Sequence, residues 1–191
     1  MRDSASSAAP DVAAHETRAA ARRPAAAAPD EPAREVRVRV ADLGAARGDV
    51  LLSTLGLGSC VAIVLHDAAA RVGGLAHVLL PSEGLSRDRT NPAKFAGTAV
   101  PALLAEMRGL GARGPFTARL VGGASMFGSL LPAGGVNMGE RNVMASREAL
   151  ALAGVPLVAE DTGGEHGRSV FFRVADGRVR VRSLRLGERE L

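Results

Sequence analysis

Between Thr54 and Pro81 the chain reads TLGLGSCVAIVLHDAAARVGGLAHVLLP, and no other stretch restricts its fold as much. Two aliphatic runs read as strands. One starts at Cys60 and continues through Val61, Ile63 and Leu65; the other runs from Val72 through Leu75, His77 and Leu79. His66, Asp67 and three alanines are expected to form the turn between them. Gly56 and Gly58 precede the cysteine, where glycine lets the backbone approach a bound molecule and aim N–H groups at a developing oxyanion. If the two strands lie close in one sheet, Cys60 and His77 meet. A cysteine becomes a nucleophile when an imidazole takes its proton and holds the thiolate as an ion pair.

The rest of the chain supplies a setting for that stretch. Its 191 residues suffice for one domain with a core and are too few to expect two. Cys60 is the only cysteine, which excludes an internal disulfide and fits a reducing compartment. No apolar run approaches a bilayer span, and the amino terminus lacks the pattern of a secretory signal, so the expected location is the cytoplasm. Trp and Tyr are absent, which calls for an aliphatic core. Residues 1–34 are rich in Ala, Pro, Ser and Arg and read as a disordered tail, leaving residues 35–191 as the domain.

Within the domain, Val36 to Val40 alternates as a strand and a turn with Gly44 and Gly48 follows. Val50 to Leu55 reads as the next strand. Asn91–Pro92 suits a helix entry. Ala96, Ala99, Val100, Leu103, Leu104, Met107 and Leu110 recur at helical spacing, with Pro101 expected to kink that helix or mark its true start. Phe116 to Val121 is a strand running into Gly122 and Gly123. Asn137, with Glu140 three residues on, caps a second helix whose apolar side is Val143, Leu150 and Leu152. Val155 to Ala159 is a strand, Asp161 to Gly164 a turn, and residues 169–174 and 178–184 a hairpin across Asp176–Gly177. Two helices among many strands, without regular alternation, predict an α+β fold with a mixed sheet.

The formal net charge is +4, and Lys94 is the only lysine. In the last strand Arg178, Arg180 and Arg182 share one face. Without aromatic stacking platforms or a recognisable module these arginines do not indicate nucleic acid. They read as a solvated strand face or, more sharply, as a docking face for an acidic partner.

Each chemical candidate has a plainer alternative. A lone cysteine in apolar surroundings is commonly an inert core residue, but Cys60 sits at the mouth of a glycine loop. His77, flanked at alternate positions by Leu75 and Leu79, taken alone would be a core histidine. His66 reads as solvated at its turn, and His166 lies in the GGEHGR loop. Four scattered histidines without a second cysteine give no metal site. GLGSCV mimics the start of a dinucleotide fingerprint but lacks its third glycine and its helix. Asp67 and Asp161 are the obvious carboxylates to orient a histidine base, while Thr54 alone reads as an ordinary strand threonine.

Five motifs in order carry a resemblance: TLGLGSC at 54–60, GGLAHVLLP containing His77, VGGASMF at 121–127, NMGERNV at 137–143 and AEDTGG at 159–164. The chain resembles the CheD family, chemoreceptor glutamine deamidases of bacterial chemotaxis, over about residues 50–181. The resemblance implies a mixed β-sandwich with flanking helices. It makes Cys60 the nucleophile, His77 the general base and acid, and Thr54 the residue that fixes the imidazole. Backbone N–H groups near Ser59 and Cys60 would steady the oxyanion, with Gly58, Ser59, Ser125 and Thr162 as candidate substrate-binding residues. No cofactor is implied. The implied partners are methyl-accepting chemotaxis receptors and, for some members, a CheC-type phosphatase. Two other readings use the same residues: a cysteine hydrolase of another class, and a regulatory binding module without chemistry.

Overall fold

The computed structural model describes residues 34–125 and 137–191. The expected tail at residues 1–34 therefore lies outside the described residues except for Arg34, which already opens the first strand. Among the described residues ten strands and two α-helices follow one another as β1 (Arg34–Arg37), β2 (Asp42–Arg47), β3 (Val50–Leu57), β4 (Val61–Asp67), β5 (Val72–Val78), α1 (Ala96–Gly109), β6 (Thr117–Gly122), α2 (Met138–Leu152), β7 (Leu157–Thr162), β8 (Arg168–Arg173), β9 (Val179–Ser183) and β10 (Gly187–Glu190).

They form two five-stranded sheets, β1-β3-β8-β9-β10 and β2-β5-β4-β6-β7. Each is mixed: β1 runs parallel to β3 and β7 parallel to β6, while the other pairs are antiparallel. Leu52, Leu57, Val170, Phe172, Val179 and Val181 of the first sheet pack against Ala62, Val64, Leu75 and Val121 of the second. The second sheet turns its other face, with Val61, Ile63, Ala76 and Val78, onto α1 and α2. Every residue of β4 and β5 is buried, as a central strand covered on both faces requires. This is the α+β sandwich with flanking helices that the motifs implied.

Several local expectations change. The turn placed at Gly44 is strand β2, which pairs with β5 from Asp42↔His77 to Arg47↔Val72. DLGAAR carries no β-branched residue; ladder hydrogen bonds along the edge of β5 override its weak propensity. The strand expected at residues 36–40 is the shorter, earlier β1. His66 and Asp67 end β4 instead of forming a turn. His66 is buried and its Nε2–H donates to the Val174 carbonyl (3.0 Å), so it is not solvated. Asp67 is buried as well, accepting from the backbone N–H of Ala70, Arg113 and Gly114.

Pro101 neither starts α1 nor interrupts it, since the helix begins five residues earlier. Pro101 has no N–H to offer the Gly97 carbonyl four residues back, and both residues are exposed, where water can serve that carbonyl. The side chain of Asn137 caps α2 by accepting from the Glu140 N–H (3.2 Å). Leu152, expected on its apolar side, is exposed. Asp161 and Thr162 belong to β7, and the turn starts at Gly163. The edge strand β10 was not anticipated; its Glu188 pairs with both Arg180 and Arg182. The arginines do alternate outward along β9.

Candidate active site

Thr54 lies on β3 and His77 on β5, in opposite sheets, and both are fully buried. Their side chains meet in the space between the sheets, Thr54 Oγ1 and His77 Nδ1 being 2.7 Å apart. The same hydroxyl lies 2.8 Å from the Val38 carbonyl. A carbonyl only accepts, so the single hydroxyl proton goes to Val38. The hydroxyl must then accept from His77, which places a proton on Nδ1 and leaves Nε2 with a free lone pair. Nε2 is buried and has no hydrogen-bond partner among the described residues. Burial lowers the His77 pKa from its ordinary 6.5 to about 4, keeping the ring neutral.

Cys60 stands immediately before β4 and is half-buried. Ala62 pairs with His77 across the β4–β5 ladder, and strand alternation places Cys60, two residues earlier, on the same side of the sheet as His77. Cys60 packs against the core between the sheets. Its thiol is pushed up by burial, with its own backbone N–H opposing the shift. Desolvation thus favours a neutral thiol beside a neutral imidazole.

The glycine loop is held from outside. Ala124 N–H donates to the Gly58 carbonyl (2.7 Å), Asn142 Nδ2 to Ser59 (2.8 Å) and Gly123 N–H to Cys60 (2.8 Å). Gly122 and Gly123 have positive φ, and a Cβ on Gly122 would strike the Cys60 carbonyl oxygen. A Cβ on Gly139 of α2 would likewise meet the Gly123 and Ala124 carbonyls. The glycines of the VGG and NMG motifs therefore let α2 and the end of β6 close onto the cysteine loop.

Ser125 and Thr162 lie near the start of α2. With Gly123, Asn137, Glu140 and Gly163 they line a hollow of about 530 Å³. His166 borders another hollow, of about 310 Å³, with Gly56, Arg182 and Arg185. Asp161 takes no part in orienting His77. It is buried against Arg168 (2.8 Å) and Arg189, and Arg168 also donates to the Gly163 and His166 carbonyls, so this network shapes the loop after β7. Among the described residues no group of three or more His, Cys, Asp or Glu side chains could hold a metal ion, and no helix is long and apolar enough to cross a membrane. The sequence reading missed the Val38 carbonyl and Asn142. A polar residue beside Val143, in the buried register of α2, was the available signal for Asn142.

Comparison with known proteins places this geometry. The family model described as CheD chemotactic sensory transduction matches residues 79–183. A probable chemoreceptor glutamine deamidase CheD of Caldanaerobacter subterraneus is 44% identical over 150 residues, 78% of this chain and 93% of the relative. Proteins of the same name from Moorella thermoacetica and Pyrococcus abyssi are 45% and 42% identical, covering 78% and 79% of this chain and 91% and 93% of the relatives. The family model begins downstream of Cys60 and His77. A continuous alignment spanning 78% of 191 residues, however, includes Thr54, Cys60, His77 and Asn142 wherever it starts. On the family match and on relatives matched over nearly their whole length, the chain belongs to the CheD family.

Proposed function

We propose that this chain is a protein-glutamine deamidase acting in the cytoplasm on methyl-accepting chemotaxis receptors, with a CheC-type phosphatase as a candidate partner. The relatives' names supply the substrate class. One observation supports the chemistry above the others: the Thr54 hydroxyl, committed to Val38, fixes His77 as the Nδ1–H tautomer and leaves Nε2 free as a base on the face that carries Cys60.

In this reading His77 Nε2 takes the thiol proton as Cys60 Sγ attacks the carboxamide carbon. The oxyanion forms against backbone N–H groups at Ser59 and Cys60. Thr54 accepts from Nδ1–H throughout and so stabilises the imidazolium. That imidazolium returns its proton to the departing nitrogen, ammonia leaves, and a glutamyl thioester remains. Nε2 then deprotonates a water that attacks the thioester, releasing glutamate and restoring the thiol. Each half-reaction begins and ends with a neutral pair, consistent with burial favouring neutral Cys60 and His77.

Incubation with receptor cytoplasmic domains tests the proposal. Peptide mass spectrometry should show shifts of roughly one dalton at particular glutamines, with ammonia released in equal amount and no backbone cleavage. Cleaved backbone, or no ammonia from any receptor domain, would overturn it.

A further inference from the structure

Of the three carbonyls pinned around the cysteine, Gly58 and Cys60 are held by backbone N–H groups where β6 ends. Ser59 is held by a side chain from another element. Asn142 Nδ2 donates to the Ser59 carbonyl at 2.8 Å and to the Leu79 carbonyl at 3.1 Å. Both acceptors are carbonyls, so the nitrogen of the amide must face them. Asn142 is wholly buried, and its Oδ1 has no partner among the described residues. A residue needed only to pack α2 against the sheet would be apolar. A buried amide with one orphaned oxygen is a cost that packing does not explain.

We propose that Asn142 is a positioning residue for the deamidation, holding the Ser59–Cys60 peptide so that the Cys60 N–H faces the reacting centre. The inference rests on the deamidase reading above. In a trans peptide the C=O and the following N–H point in opposite directions. Tying the Ser59 oxygen to α2 therefore aims the Cys60 N–H away from α2. The N–H belongs to the residue that carries the sulfur, so its direction bears on the place where a tetrahedral intermediate would develop. The second bond reaches the carbonyl two residues beyond His77. One amide nitrogen thus ties the cysteine loop to the end of the strand that carries the base. Gly139 and Gly123 permit the approach of α2 that brings Asn142 within reach. The side-chain nitrogen bonds two backbone carbonyls and neither Cys60 Sγ nor the His77 ring, so its effect on the reaction passes through backbone geometry.

Asn142→Leu keeps the number and branching of side-chain heavy atoms and removes the donor. Its expected effect on receptor deamidation is a fall in kcat of about tenfold to a hundredfold with KM within about twofold, below the loss typical when an oxyanion donor is deleted outright. A structural role alone would lower melting temperature without moving kcat per titrated thiol. A second readout needs no deamidation: the pH midpoint of Cys60 alkylation by iodoacetamide should rise, because the N–H that favours the thiolate is no longer held in place. Asn142→Ser provides the same measurements should the leucine variant not fold. Wild-type kcat per titrated thiol, or an unmoved alkylation midpoint, in a folded variant overturns the proposal. Failure of both variants to fold assigns Asn142 to stability alone and overturns it too. If the wild-type protein releases no ammonia, the deamidase reading falls, and the alkylation midpoint still decides whether Asn142 positions Cys60.

Discussion

Replacing Thr54 by valine removes one hydroxyl and almost no volume. The structure sets the consequences. The Val38 carbonyl loses its donor and His77 Nδ1–H its acceptor, both in a site closed to water. Each stranded buried group costs roughly 1–3 kcal/mol, so the variant should be about 2–5 kcal/mol less stable. For a chain of this length that corresponds to a melting temperature lower by roughly 5–15 °C. The functional effect is separate. Without an acceptor at Nδ1 nothing holds the proton there, and the tautomer with the proton on Nε2 cannot act as base. Deamidation should fall by about tenfold to a hundredfold, toward the range that a positioned base contributes.

Thr54→Ser is the control. It keeps the hydroxyl and both bonds, loses one buried methyl worth about 1 kcal/mol, and should retain most activity. Thermal melts, ammonia release and the ring-nitrogen NMR shifts of His77 read stability, rate and tautomer independently. If Thr54→Val melts and turns over like the wild type, the hydroxyl does not control His77. If Thr54→Ser is as damaged as Thr54→Val, packing and not hydrogen bonding explains the effect.

Cys60→Ala should abolish deamidation and Cys60→Ser should nearly do so, with folding intact by circular dichroism; substantial activity in either removes the thioester step. The lowered His77 pKa carries a pH signature. An unfolded chain binds the proton below pH 6.5, the folded one only near 4, so the stability contributed by the neutral ring is full above pH 6.5. It is lost as pH falls from 6.5 to 4, about 3 kcal/mol in all. Wild type and His77→Asn with identical acid slopes in thermal melts would contradict this. Arg180→Gln with Arg182→Gln should weaken receptor binding in a salt-dependent way and change stability little, because both arginines are exposed and share Glu188; unchanged, salt-independent binding leaves a solvated face. Deleting residues 1–33, which leaves β1 whole, should alter neither melting temperature nor deamidation rate, and a large drop in either would show that the segment supports the domain.

The parts of this fold legible in the sequence were those with strong periodicity. β4 and β5 announced themselves by continuous burial-type composition, α1 by its 3–4 spacing and α2 by Asn137. β2 was illegible because DLGAAR has no strand propensity; its identity comes from the unpaired edge of β5, which no local pattern records. His66 and Asp67 were misread for the related reason that polar residues near glycine and alanine suggest a turn. Here Asp67 is polar because it accepts three backbone N–H bonds, and His66 because Val174 offers a carbonyl. The same distinction governs the site. Cys60, His77 and Thr54 were reachable through their motifs, but the tautomer of His77 depends on the Val38 carbonyl, and a carbonyl has no signature in sequence. Asn142 is the intermediate case. A period-based reading of α2 asks where apolar residues fall, and Asn142 breaks that register where the helix meets Ser59. Burying an amide is unfavourable unless its hydrogen bonds are needed. A polar residue in the buried register of a helix is therefore a pointer to the backbone it serves, here the peptide that joins Ser59 to Cys60.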